Sequence, residues 1–298
     1  MGINNLTERN LKYGFVILHY MAFEMTVECV EKLLSRFVNC DIQIVIVDNC
    51  SSNRSGKKLN RKYSSTSRVT VLLNEKNDGF AKGNNLGYKY LRENYDPDYM
   101  IVMNNDVLIE QVDFLDLIDN FNRDEGFSVA GPDIYCPVDN KHQNPAHLKG
   151  FTLNQVQALY DEICKYSSHP AFYYYKHVLF GGLKRSLFGR PATNEKIDRK
   201  RKMQNVVLHG ACYIFTRDFI TAREQCFCPA TFLYMEEDIL HYECTRDGLK
   251  MLYLPDLKIK HLEDVSTNAS IKSGYARFKM KNNEMQKSIR VLIDIMRN

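Results

Sequence analysis

The sequence predicts an α/β protein with a mostly parallel central sheet flanked by helices. Three observations carry that prediction. Apolar, β-rich runs alternate with stretches of helical spacing through the first hundred residues. The runs are near-continuously apolar, as strands buried on both faces are. Three of them end by delivering Asp and Asn residues into a turn, and open parallel sheets bind ligands at the carboxyl ends of their strands.

Phe15 to Leu18 reads as the first strand, and Phe23 to Phe37 as a helix whose apolar positions are Met25, Val30, Leu33, Leu34 and Phe37. Ile42 to Val47 is a second strand, and it empties into Asp48-Asn49-Cys50-Ser51-Ser52. A polar helix around Ser55 to Tyr63 leads to the strand Val69 to Leu73, which ends in Asn74-Glu75-Lys76-Asn77-Asp78-Gly79. A helix around Ala81 to Glu93 leads to the strand Met100 to Met103, which stops at Asn104-Asn105-Asp106. A strand cap explains one such turn, since Asn and Asp favour turns and helix N-caps. Three on one edge point to a phosphate or metal site. Farther on, Phe232 to Met235 reads as a strand-like run, and Lys250 to Leu254 as a strand closed by the turn Pro255-Asp256.

Composition narrows the function classes. The 298 residues are 44% hydrophobic and 26% charged, enough for one large or two small globular domains. A formal charge of only +4 gives no polycation, so no nucleic-acid partner is expected. Nine cysteines in no zinc spacing, with no apolar leader at the start, predict a reducing, cytoplasmic setting. No apolar run approaches the ~20 residues that span a bilayer. The first strand is followed by LHYMAFE rather than GxGxxG, and no GxxxxGK[ST] occurs, so dinucleotide and P-loop folds are set aside. The glycine-bearing segment is Asn77 to Gly87. There Gly79 and Gly83 permit close backbone approach, the start of a helix favours anions, and Lys82 adds a charge.

In this order, the stretches ILHYMAFEMTVECVEKLL, IVIVDNCSSN, NEKNDGFAKGNNLG, MIVMNNDV, HGACYIFTRDF, FLYMEEDIL and KHLEDVST resemble family 2 glycosyltransferases of the GT-A fold. The likeness is nearest to the bacterial branch that builds O-antigen and capsular polysaccharide, including rhamnosyltransferase-like members, and runs from about residue 13 to 267. It implies a single nucleotide-diphospho-sugar transferase domain over 1–298. A nucleotide half (about 1–106) would precede an acceptor half (107–267) with a basic, aromatic insert (151–205), and a basic C-terminal helix (268–298) would follow.

The resemblance also implies roles. Asp48 would contact the donor's base or ribose, with the His19-Tyr20 backbone in the same pocket. Asn77, Gly79, Lys82, Gly83 and Asn84 would border the nucleotide. Asn104-Asn105-Asp106 stands at the family's DxD signature, making Asp106 a ligand of Mg²⁺ or Mn²⁺, with His261 and a nearby Ser266 completing the cation or diphosphate site. Asn at 104 is a departure: an amide oxygen coordinates without charge, so binding would lean on the diphosphate. Met21 departs too, where relatives often carry Asn. Glu237 matches the second acid of the ED motif and would be the general base of an inverting transfer, with Glu236 and Asp238 as competitors. Acids at a helix start also simply complement its dipole. His209 would sit on the acceptor side or pack as a strand residue.

The expected donor is a UDP- or dTDP-sugar and the expected acceptor a growing glycan, with a pyrophosphate-lipid handle as one form. Residues 151–205 hold ten Lys and Arg against four acids, net +6, interleaved with Phe172-Tyr-Tyr-Tyr175, Phe180 and Phe188. That pattern reads as a solvated loop or as a surface for an anionic leaflet. The tail 271–298 holds seven basic residues against two acids, with an apolar stripe of Met285, Ile289, Leu292 and Ile293 for packing, a homodimer or a membrane. Two other readings stay open: a catalytically silent sugar-nucleotide-binding relative, and a sugar-phosphate nucleotidyltransferase, which the lack of a Gly-rich basic signature near the N-terminus disfavours.

Overall fold

A computed structural model describes residues 10–180, 197–262 and 274–298, with side chains 177–180 excepted. Expectations placed on residues 181–196, on Ser266 and on Lys272 lie outside the described residues. The first half alternates as the sequence implies: β1 Lys12–His19, α1 Phe23–Arg36, β2 Asp41–Asp48, α2 Ser55–Tyr63, β3 Val69–Leu73, α3 Gly79–Asn94 and β4 Tyr99–Asn104. These four strands are mutually parallel, in the spatial order β3-β2-β1-β4. Their register aligns the polar ends. His19 pairs with Asp48, Asp48 with Leu73, and Leu18 with Asn104. Phe15, Val16, Ile44, Val45, Ile46 and Ile101 are wholly buried, which explains why these strands read as unbroken apolar runs.

The second half is built differently. It comprises β5 Val107–Leu108, α4 Phe114–Glu125, β6 Val129–Cys136, β7 Lys141–His142, α5 Leu153–Ser168, α6 Pro170–Phe180, β8 Met203–Gln204, β9 Cys212–Thr216, α7 Arg217–Ala222, α8 Glu236–Arg246, β10 Met251–His261 and α9 Gly274–Arg297. β9 lies between β4 and β6, antiparallel to both, and β10 runs parallel to β6 and antiparallel to β5. The sheet is therefore mixed, and its parallel character is concentrated at β1–β4.

Two local readings change. Phe232 to Met235 is not a strand: Tyr234 and Met235 both have positive φ, 74° and 68°, which ladder pairing does not allow. Pro255-Asp256 does not end a strand either. β10 continues to His261 across a bulge between Leu254 and Lys258, the kind of place where a strand tolerates Pro.

α5, α8 and α9 form a separate apolar cluster around Val156, Ile163, Ile239, Ile289, Leu292 and Ile293. Of the tail's stripe, Ile289, Leu292 and Ile293 are buried in this cluster and Met285 is half-buried against it. Part of the insert is helix rather than loop, because Thr152 caps α5 reciprocally with Gln155.

Candidate active site

Two adjoining hollows open at the carboxyl edge of the parallel strands. The first, ≈ 480 Å³, is walled by Leu18, Tyr20, Asn49, Asn77, Gly79, Asn104, Asn105, Asp106 and Met280 among others. The second, ≈ 490 Å³, is walled by His147, His209, Gly210, Glu236, Glu237, Asp238 and Met285 among others. They share Phe80, Asn104, Leu233 and Tyr234.

The first hollow is an amide-rich wall. Asn49, 3% exposed, donates to Asn77 Oδ1 (2.9 Å) and to the Gly79 carbonyl (3.0 Å), and accepts from the Asp78 N–H (3.1 Å) and Asn74 Nδ2 (3.3 Å). One side chain therefore ties the end of β2 to the loop after β3 and to the start of α3. Gly79 has φ +79°, and a Cβ there would meet the Phe232 carbonyl at 2.2 Å, so the turn needs glycine. Asp48 is buried at the end of β2, accepts from the Ser51 N–H, and faces Gly56 so closely that a Cβ would lie 2.1 Å from its carboxyl carbon. Burial raises its carboxyl above the usual range, partly countered by the Ser51 hydrogen bonds. Asp48 does not line either hollow; its neighbour Asn49 does.

Several expected residues have other engagements. The His19 side chain is fully buried between Thr26 Oγ1 and Ser55 Oγ, 2.7 Å each, and its carbonyl accepts from the Asn49 N–H. Burial pushes its pKa down to about 4. Asn105 lines the first hollow, yet its Nδ2 donates inward to Thr26 Oγ1 at 2.8 Å. Gly83 faces β1, where a Cβ would come within 2.5 Å of Leu18 Cδ1, so its bareness serves helix-on-sheet packing. Asn84 donates back to the Phe80 carbonyl within α3, and Lys82 is exposed away from both hollows.

Asp106 and His261 do come together. β5 pairs with the end of β10 so that His261 stands opposite Val107, and the Leu262 N–H donates to the Asp106 carbonyl. Asp106 Oδ1 lies 3.3 Å from His261 Nε2, without hydrogen-bond geometry, and is a buried atom with no hydrogen-bond partner. His261 Nδ1 is 2.8 Å from Gln143 Oε1. An amide oxygen only accepts, so Nδ1 carries the proton and Nε2 of the neutral ring presents a lone pair beside the carboxylate. Two donors of electron pairs side by side suit a divalent cation with O and N ligands. Ligands about 2.1 Å from one ion at right angles lie about 3.0 Å apart. Among the described residues no group of three His, Cys, Asp or Glu surrounds such a position, so these residues would supply two ligands. His209 stacks edge-on to His261 with ring centroids 5.8 Å apart, and burial, aided by His261, pushes its pKa down to about 4.

Across Asn104 lies the acid wall. The Phe232–Met235 loop is pinned by the Phe80 N–H on the Phe232 carbonyl and by Ser288 Oγ on the Leu233 carbonyl, and it delivers α8 with Glu236, Glu237 and Asp238 in its first turn. Glu236 is 6% exposed, and its Oε1 has no hydrogen-bond partner. Burial, then the Glu237 charge, pushes its pKa up to about 8. Glu237 faces Gly210, whose missing side chain leaves 3.9 Å from its Cβ position to Glu237 Oε2. Asn49 and Gln143 were not singled out by sequence. Asn49 was visible as part of the turn after β2, whereas nothing local marks Gln143.

The family model for glycosyl transferase family 2 matches residues 15–221. No curated protein sequence matches the chain. The chain is similar in structure to GalNAc-T7 with UDP, GalNAc and Mn²⁺ (11% identity, TM-score 0.58, 98% of this chain and 49% of that one). It is likewise similar to the mannosyltransferase PcManGT from Pyrobaculum calidifontis with GDP-Man and Mn²⁺ (12%, 0.55, 98% and 66%) and to S. aureus TarS 1–349 (12%, 0.52, 85% and 60%). It spans about half to two thirds of the length of these structures, and at such identities the likeness speaks for the fold, which is GT-A-like. With well over half of its residues inside the family model, the chain belongs to glycosyl transferase family 2.

Proposed function

We propose that this chain is a metal-dependent, inverting glycosyltransferase that moves a hexose or deoxyhexose from a UDP- or dTDP-sugar to a growing cell-surface glycan, in the O-antigen and capsule branch of the family. The observation that carries the reading is the junction at Asn104, where a hollow walled by Asp106, with His261 Nε2 3.3 Å from its carboxylate, meets a hollow holding Glu236 and Glu237. A donor anomeric carbon at that junction would have its diphosphate on one side and an acceptor hydroxyl on the other, as in-line displacement requires. UDP and GDP-Man with Mn²⁺ in solved structures of the same fold support a nucleotide-sugar donor and a divalent cation.

Tyr20, Asn77 and Gly79 would seat the nucleotide, with Asn49 holding their loops in place and Asp48 buried behind them. Asp106 and His261 would hold Mg²⁺ or Mn²⁺. When bound, the cation neutralises charge that develops on the leaving diphosphate. Glu237 takes the acceptor proton. Its neighbour supports that assignment: burial and the Glu237 charge push Glu236 up to about 8, which favours the protonated form of Glu236 as a poor base beside Glu237. The acceptor side, with Met285 of α9 in its wall, would receive a glycan carried on a lipid handle. Phe172 and Tyr175 on α6, 62% and 60% exposed, with the basic residues of 151–205, support peripheral contact with an anionic leaflet from the cytoplasmic side. No helix among the described residues is long and apolar enough to cross a membrane.

A second reading, a silent sugar-nucleotide-binding relative, is favoured by Asn rather than Asp at 104. Calorimetric titration of UDP, dTDP and GDP, with and without Mn²⁺, on wild type and Asp106→Ala separates the two. Metal-dependent binding that is lost in the variant, together with donor turnover, is expected. Binding indifferent to metal and variant would overturn the proposal.

A further inference from the structure

We propose that Gln143 is a positioning residue that holds His261 in the tautomer required of a cation ligand. The inference rests on the metal-dependent reading above and adds a residue to it. The segment that carries Gln143 is anchored at each of three consecutive positions. His142 Nδ1 sits 2.8 and 2.9 Å from the two oxygens of Asp133, and the Gln143 N–H donates to the Ile134 carbonyl at 2.8 Å. Asn144 is fully buried; its Nδ2 donates to the Pro132 carbonyl (2.7 Å), while its Oδ1 accepts from the His209 N–H (2.9 Å). The Asn144 carbonyl in turn accepts from Arg199 Nε at 3.1 Å. Gly131 makes room for this strap, since a Cβ there would meet Asn144 Nδ2 at 2.6 Å.

A backbone tied so often cannot slide, and it presents the Gln143 amide oxygen 2.8 Å from His261 Nδ1. That contact assigns the ring proton to Nδ1 and leaves the Nε2 lone pair beside Asp106 Oδ1. Without it, the neutral ring is free to carry its proton on Nε2, where it would block a cation. The same strap reaches the His209 backbone through Asn144, so one short stretch of chain bears on both histidines.

The test compares wild type, Gln143→Leu and Gln143→Glu by two readouts that need no turnover. Mn²⁺ affinity in the presence of UDP or dTDP is followed by the electron paramagnetic resonance of free Mn²⁺. The tautomer of His261 is read in the metal-free protein from long-range ¹H–¹⁵N correlations at about pH 8.5, above the ordinary imidazole range. Gln143→Leu is expected to weaken Mn²⁺ binding about 10- to 100-fold and to turn a pure Nδ1–H ring into a mixture. Gln143→Glu, which keeps an accepting oxygen, restores both. Equal affinity in Gln143→Leu, equal loss in both variants, or an Nε2–H ring in the wild type would each overturn the inference and leave the functional reading standing. Wild type that binds no Mn²⁺ with either UDP or dTDP would overturn both.

Discussion

The two walls that meet at Asn104 are made of opposite materials. Around the first hollow the amides are tied down: Asn49, Asn74, Asn77 and Asn105 all hydrogen-bond within the protein. Across the junction Glu236 Oε1 is buried without a hydrogen-bond partner, and in the first hollow the carboxylate atom Asp106 Oδ1 is the exception among the amides. Buried polar groups are normally paired, and leaving one unpaired costs about 1–3 kcal/mol. The satisfied wall is built to hold a shape. The two unmatched carboxylate atoms, Glu236 Oε1 and Asp106 Oδ1, are ones that a substrate proton or a cation would complete, and they mark where chemistry is expected.

The largest effect should follow from the acid wall. Glu237→Gln keeps the shape of the side chain and removes its basicity. Transfer to acceptor should fall by about 10²- to 10⁴-fold, the usual worth of a general base, while UDP affinity measured by calorimetry stays near wild type. If the variant transfers sugar at an undiminished rate, the contrast between the walls loses its chemical meaning, and the acids of α8 revert to a helix start that complements the dipole.

The amide wall should answer in stability and binding rather than in rate. Asn49→Ala leaves the Asp78 N–H and the Gly79 carbonyl without their partner and frees the loop after β3. A loss of about 2–3 kcal/mol in chemical denaturation is expected, with weaker nucleotide binding and little change in turnover at saturating donor. A fall in turnover with binding intact would mean that the wall does more than hold a shape.

How much of this was legible differs between the halves for a physical reason. β1, β2 and β4 are largely buried on both faces, and consecutive strands of β1–β4 are joined by one helix each, so the apolar runs and their polar ends stand in order along the chain. β9 reaches its place by pairing Tyr99 with Thr216 and Val129 with Phe215, partners that no local pattern links. The Phe232–Met235 run has the composition of a strand, but its two left-handed residues turn it into the loop that aims α8. β10 passes a proline by a bulge, which a reading of Pro as a stop cannot foresee. Asp106 and His261 were legible as types at expected places, because the resemblance marks both. Gln143 was not, since its importance exists only where three strands and a strap converge on one imidazole.

The contrast has a finer signature in the pH dependence of stability, where the two walls act with opposite sign. Glu236 has a folded pKa of about 8 against an ordinary 4.5. The folded state therefore keeps a proton that the unfolded chain has lost, and stability falls as pH rises from about 4.5 to 8. His19, beneath the amide wall, has a folded pKa of about 4 against 6.5. Here the unfolded chain binds the proton first, so its contribution is complete above pH 6.5 and is lost as pH drops toward 4. Glu236→Gln should flatten the decline between pH 6 and 8, where one group accounts for at most about 1.4 kcal/mol per pH unit. His19→Asn should flatten part of the acid limb only, because His209 shares the same direction. Denaturation curves taken across this range read slopes, so they remain informative even though either variant shifts the overall level. A Glu236→Gln protein whose stability still declines as steeply toward pH 8 would mean that Glu236 is ionised in the folded state, and the division of labour between the two adjacent acids would go with it.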